Sequence, residues 1–139
     1  MKTMLSLLLV ATAAFAQQPM PPQPQDDPIG QQLFPPELIM SQSQKLHLDD
    51  KQRTAIKNEV QSAQSRFFDL QWQLKEASDA MVELLQQTPV DEKRVLEQAD
   101  KVMGFEREIK KIHLAMLIRI KNSLTADQIA QLRQARGMR

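Results

Sequence analysis

Residues 56–84 read "IKNEVQSAQSRFFDLQWQLKEASDAMVEL". In this stretch Ile56, Val60, Ala63, Phe67, Leu70, Leu74, Ala77, Met81 and Leu84 follow one another at alternating spacings of four and three. That alternation puts all of them on one face of a helix, as the a and d positions of a coiled-coil seam. No Gly or Pro interrupts the run. The spacing predicts one helix over about residues 50–87, roughly 57 Å long at 1.5 Å per residue. Its apolar stripe needs a second helix to cover it.

The partner follows directly. In "QQTPVDEKRV" (86–95), Pro89 cannot continue a helix interior, and Asp91 can cap a new helix, with Val90 and Val95 placed as a hydrophobic staple. The connection is short, so the two helices are expected to be antiparallel neighbours. The second long helix is predicted over about 92–122. Its stripe is Val95, Ala99, Val102, Ile109, Met116 and Ile120, interrupted by Glu106 and His113. Gly104 weakens it by about 1 kcal/mol relative to Ala. Toward its end "IHLAMLIRI" (112–120) is apolar nearly all round, which predicts burial on more than one side. A flanking helix or a second protomer has to supply the extra cover.

Both ends of this hairpin carry the same local pattern. In "LHLDDKQRTAI" (46–56), Asp49 is an N-cap and Gln52 stands three residues on. In "NSLTADQIAQL" (122–132), Thr125 caps and Gln128 stands three on, with Leu124 and Ile129 at the staple positions. Each is a capping box, in which the cap side chain and the third residue satisfy each other's backbone N–H. A short helix is expected upstream at about 36–46, with Pro36 in its first turn, Glu37 at the positive end of its dipole, and Leu38, Ile39 and Leu46 facing inward. The closing helix runs into the basic tail "RQARGMR", where Gly137 is a plausible stop. The fold class is therefore all-α: a long antiparallel hairpin flanked by two short helices.

The 139-residue chain opens "MKTMLSLLLVATAAFAQQ", with one Lys, a short apolar run and then small residues. This reads as a secretory signal peptide over 1–16, cleaved after Ala16, and fits export to a bacterial periplasm. Residues 17–30, rich in Pro and Gln, read as a disordered linker. A helical domain over 31–136 and a tail over 137–139 complete the division. No stretch after the leader approaches the 20 or so apolar residues of a membrane span. With no cysteine, the domain holds by packing alone. Once Lys2 leaves with the leader, the 18 basic residues fall to 17, equal to the 17 acidic ones. That balance argues against nucleic acid as a partner.

Two L-[T/D]-x-x-Q boxes at the junctions of an exported helical hairpin resemble the Spy/CpxP-like family of periplasmic proteins, which carries paired LTxxQ motifs. The family includes zinc-resistance-associated proteins and heavy-metal sensors. Leu124, Thr125 and Gln128 form a complete copy. Leu48, Asp49 and Gln52 depart from it only by Asp in place of Thr. The resemblance spans about Gly30 to Arg136. It implies a homodimeric cradle of long helices. It also implies ATP-independent binding of unfolded or misfolded envelope proteins, or a link to envelope-stress signalling through a membrane sensor.

The residues bear on these readings unevenly. Nothing points to catalysis: no Gly-rich phosphate loop, no Cys and no Ser in a nucleophile elbow, so the chain is expected not to be an enzyme. Client contact is expected of Phe68 and Trp72, which sit beside the seam rather than on it, aided by Leu85 and the adaptable Met40, Met103 and Met116. The cations Lys110, Lys111 and Arg119 accompany them. Phe68 and Trp72 packing against the short helices is the plainer alternative. No cofactor is expected. The rival is a transition metal such as zinc, copper, nickel or cobalt, held by His113 and Met116, three apart on one helix, with His47 as a more distant candidate. A closed zinc site normally needs four ligands, and no HxxxH is present, so packing of His113 and Met116 is the favoured reading.

Overall fold

The computed structural model describes residues 27–137. After a 3₁₀ turn at Gly30–Gln32 come five helices: α1 (Pro36–Ser41), α2 (Ser43–Leu46), α3 (Asp50–Leu85), α4 (Glu92–Asn122) and α5 (Ala126–Gly137). No strand occurs among the described residues. The expected signal peptide over 1–16 lies outside the described residues, as do most of the linker and the end of the tail. Residues 27–30 of that linker form a turn, in which the Gly30 N–H donates to the Asp27 carboxylate at 2.9 Å.

The long helices form the hairpin that the spacing predicts. α3 and α4 pack along each other. The Gln98 amide on α4 donates to the Ala77 carbonyl on α3 at 2.8 Å, fixing their relative height. Asp91 caps α4, accepting from the Arg94 N–H at 3.2 Å. Every residue of the α3 seam is buried or half-buried except Phe67, which stays 40% exposed. One covering helix leaves the flanks of a long seam open to solvent.

On α4 the inward stripe differs from the expected one. Glu106 and His113 are exposed, and Phe105 and Ile112 take the inward positions. Val102, Ile109 and Met116 keep their places, seven residues apart, and the second inward position falls three residues after Val102 and Ile109 rather than four, at Phe105 and Ile112. "IHLAMLIRI" is also covered less than expected. Ile112, Leu117 and Ile120 are buried, while Leu114 and Ile118 remain open.

The core sits at the base of the hairpin, where the short helices gather. Phe34, Ile39, Leu46, Leu48, Ile56, Ile120, Leu124 and Leu132 form one buried cluster, edged by Leu38, Val60, Met116 and Ile129. Phe34, Ile39, Ile120 and Leu132 are wholly buried. Each contributes about 1.5–3 kcal/mol by leaving water. Leu124 and Ile129 both reach this cluster, as the staple reading requires.

The expected single helix over 36–46 is two helices, α1 and α2, divided at Gln42. α2 ends at His47, whose φ of 49° is left-handed. That conformation reverses the chain and releases Leu48 into the core, with Asp49 free to cap α3.

Candidate functional site

The two capping boxes are completely formed and meet at the base. In the first, the Gln52 N–H donates to the Asp49 carboxylate at 2.7 Å, and the Asp49 N–H donates to Gln52 Oε1 at 3.1 Å. In the second, the Gln128 N–H donates to Thr125 Oγ1 at 3.2 Å, and the Thr125 N–H donates to Gln128 Oε1 at 2.9 Å. Asp in the Thr position therefore caps as well as Thr does. Antiparallel packing brings the start of α3 beside the end of α4, so the boxes become neighbours. Leu48, Asp49, Gln52, Leu124, Thr125 and Gln128 act as caps and core, and of the six Leu48 also reaches a surface groove, as part of its floor.

The metal candidates are divided. His113 and Met116 line one cavity of about 200 Å³ with Ala63, Gln64, Phe67 and Ile112, in the seam between α3 and α4. His113 is exposed and Met116 half-buried. His47 is not part of this cavity; it stands exposed at the turn after α2. The cavity offers one imidazole, one thioether and one side-chain amide. Among the described residues no group of three or more His, Cys, Asp or Glu could hold a metal ion. The donor set does not fit a closed four-ligand centre within one chain. It fits an open, soft pair with coordination positions left over.

The client candidates are divided as well. Phe68 and Trp72 form an edge-to-face pair, centroids 6.1 Å apart at 80°. They are 60% and 56% exposed, so the alternative of packing against the short helices does not hold. Helical geometry puts them opposite the side that meets α4. Lys110 and Lys111 lie on the outer side of α4, beside Met103 and Leu114. Arg119 is elsewhere, bridging to Glu59 of α3 at 3.4 Å. The structure thus does not join the three cations to the aromatic pair. A separate apolar groove of about 560 Å³ runs between α1 and α3, floored by Ile39, Leu48, Ile56 and Val60, with exposed Met40 at its edge.

Phe34 and Arg136 are structurally central residues that the spacing does not reveal. The Arg136 guanidinium donates to the Gly30, Gln31 and Leu33 carbonyls at 3.1, 2.8 and 2.6 Å, and lies 5.1 Å from the Phe34 ring centroid. Lys121 approaches the same ring at 5.9 Å and donates to the Gln32 carbonyl at 2.7 Å. A lone aromatic before two prolines, and one cation in a basic tail, carry no periodic signal.

No helix among the described residues is long and apolar enough to cross a membrane. A family model described as heavy-metal resistance matches residues 3–131. No curated protein and no solved structure matches the chain.

Proposed function

The chain belongs to the heavy-metal resistance family, and on that premise we propose that it is an exported protein which takes up a transition-metal ion in the seam of its hairpin. The observation that carries this is the shared cavity of His113 and Met116, one imidazole and one thioether on consecutive turns of α4. Such a pair suits copper, nickel, cobalt or zinc over magnesium or calcium. Two donors per chain bind a metal reversibly, which suits sensing or transient capture better than storage. Two chains of a homodimer would together supply four donors. The chain binds and does not catalyse. Placement in the periplasm rests on the leader-like residues 1–16.

Calorimetric titration of the chain with zinc, copper, nickel and cobalt tests this. Heat with at least one ion, lost in His113→Ala and reduced in Met116→Ala, is expected. No heat with any of the four would sink the reading. Sedimentation with and without the ion shows whether the metal joins two chains.

A second reading has its own support: binding of unfolded envelope proteins without ATP. Phe68 and Trp72 lie open to solvent as a pair, and the groove beside Met40 is apolar, as adaptable recognition requires. Suppression of aggregation of a denatured client, weakened by Phe68→Ser with Trp72→Ser, would support it. A membrane sensor is a further partner that the family resemblance brings to this reading.

A further inference from the structure

The outer side of α4, turned away from α3, carries a second stripe that holds Met103, Lys110 and Lys111 apart from both the His113–Met116 cavity and the Phe68–Trp72 pair. Leu96, Met103, Leu114 and Ile118 are each between 41% and 57% exposed. Leu96 and Leu114 are 18 residues apart, five full turns, and Met103 to Leu114 is 11 residues, about three turns. The four residues therefore form a line roughly 33 Å long on one face. Cations fill the middle of the line. Arg107, Lys110 and Lys111 share a surface groove with Met103 and Leu114, and Glu106 is the one acid that joins them there. Lys111 also reaches Glu108 at 3.5 Å, an exposed pair that leaves its charge available.

We propose that this face of α4 lies on an anionic lipid surface, with the four apolar side chains entering the headgroup boundary and Arg107, Lys110 and Lys111 meeting lipid phosphates. The chain is close to neutral, so three cations beside one line of apolar residues are a local concentration rather than a general basic character. A basic face with interspersed apolar side chains is the pattern of a helix lying in a membrane interface.

The charge arrangement also decides against a second copy as the occupant. The line runs from 96 to 118, and its midpoint falls at Arg107. An antiparallel two-fold packing centred there would set Arg107 against its own copy, with Lys110 and Lys111 of each chain about one turn from that pair. The straightness and length of the line favour a flat boundary over a compact acidic peptide. Phe68 and Trp72 are on the far side of the hairpin from it, so neither the metal reading nor the client reading depends on this surface.

The test is co-sedimentation of the full chain with phosphatidylglycerol–phosphatidylcholine vesicles and with pure phosphatidylcholine vesicles, at low and high salt. The expected result is binding to the anionic vesicles that falls as salt rises. Arg107→Gln with Lys110→Gln and Lys111→Gln should weaken it about a hundredfold, at about fivefold per cation. Leu114→Ser with Ile118→Ser should also weaken it. The matched control, Lys51→Gln with Lys57→Gln and Arg66→Gln on α3, removes the same charge and should bind like the parent. All these chains share residues 1–26, so only the difference between them is read. Circular dichroism confirms that each is folded. Equal binding by the two triple variants would overturn the proposal. So would no salt-sensitive binding, or poly-glutamate competing as well in solution as the vesicles do. A dimer that Leu114→Ser with Ile118→Ser dissociates would overturn it too, by assigning the stripe to a second copy.

Discussion

The side-chain amides of Gln52 and Gln128, 76 residues apart, donate to each other: Gln52 Nε2 to Gln128 Oε1 at 2.7 Å and Gln128 Nε2 to Gln52 Oε1 at 3.1 Å. Gln52 Nε2 also donates to the Ser123 carbonyl at the end of α4, and Gln128 Nε2 to the Leu46 carbonyl at the end of α2, each at 3.0 Å. With the two capping N–H groups arriving on the oxygens, each amide uses both donors and both acceptors. Each Gln thus seals the start of its own helix and the end of another. Glu could complete a capping box, but it could not make these donations.

The first prediction concerns that exchange. Gln128 is buried, so Gln128→Ala strands the Leu46 carbonyl, the Thr125 N–H and one Gln52 donor. A loss of about 2–3 kcal/mol is expected from urea unfolding. Gln52→Ala, at a more open site, should cost less. A double-mutant cycle between them should show coupling of about 1 kcal/mol or more.

Gln128→Glu isolates the donors. The carboxylate would be buried facing the Leu46 carbonyl and Gln52 Oε1 with no hydrogen to give. Its pKa in the folded chain should therefore rise above the unfolded value. The folded state then binds the proton more tightly than the unfolded one, so stability is present below the unfolded pKa and lost as pH rises through the folded pKa. The unfolding midpoint of this variant should fall from pH 4 to pH 7 relative to the parent. A parallel course for the two proteins would refute the donor argument.

The hairpin was legible in the sequence because nine α3 positions repeat without a break and Pro89 with Asp91 marks the reversal. The caps were legible because their chemistry is local. Their meeting was not, since it depends on two long helices returning to the same end. The stripe of α4 was misplaced at Glu106 and His113 because an alternation of four and three can begin on either step: Val102, Ile109 and Met116 belong to both patterns, and only contact with α3 selects Phe105 and Ile112. That error still left His113 beside Met116, since both orientations keep them one turn apart. Phe34 went unread because a single residue in a Pro-rich stretch has no period.

Phe34 and Arg136 give the next prediction. Phe34 is wholly buried among Ile39, Ile120 and Leu132 neighbours of the core, so Phe34→Ala should cost about 3–5 kcal/mol. Arg136→Ala removes three donations to exposed or half-exposed carbonyls, and about 1–2 kcal/mol is expected. The discriminating measurement is hydrogen exchange. In Arg136→Ala, amides 31–33 should exchange faster while those of the α3–α4 hairpin tip do not change.

His47 holds a left-handed φ of 49° that glycine adopts without strain. His47→Gly should therefore be neutral or raise stability by up to about 1 kcal/mol in thermal unfolding, despite the deletion of a whole side chain. Because His47 is outside the His113–Met116 cavity, the same variant should leave any metal titration unchanged. A lost metal signal in His47→Gly would show that the turn after α2 supplies a ligand, and would move the proposed site from the seam to the base of the hairpin. Retained metal binding with raised stability would mean that His47 stands where it does for the turn, at a position where glycine serves better.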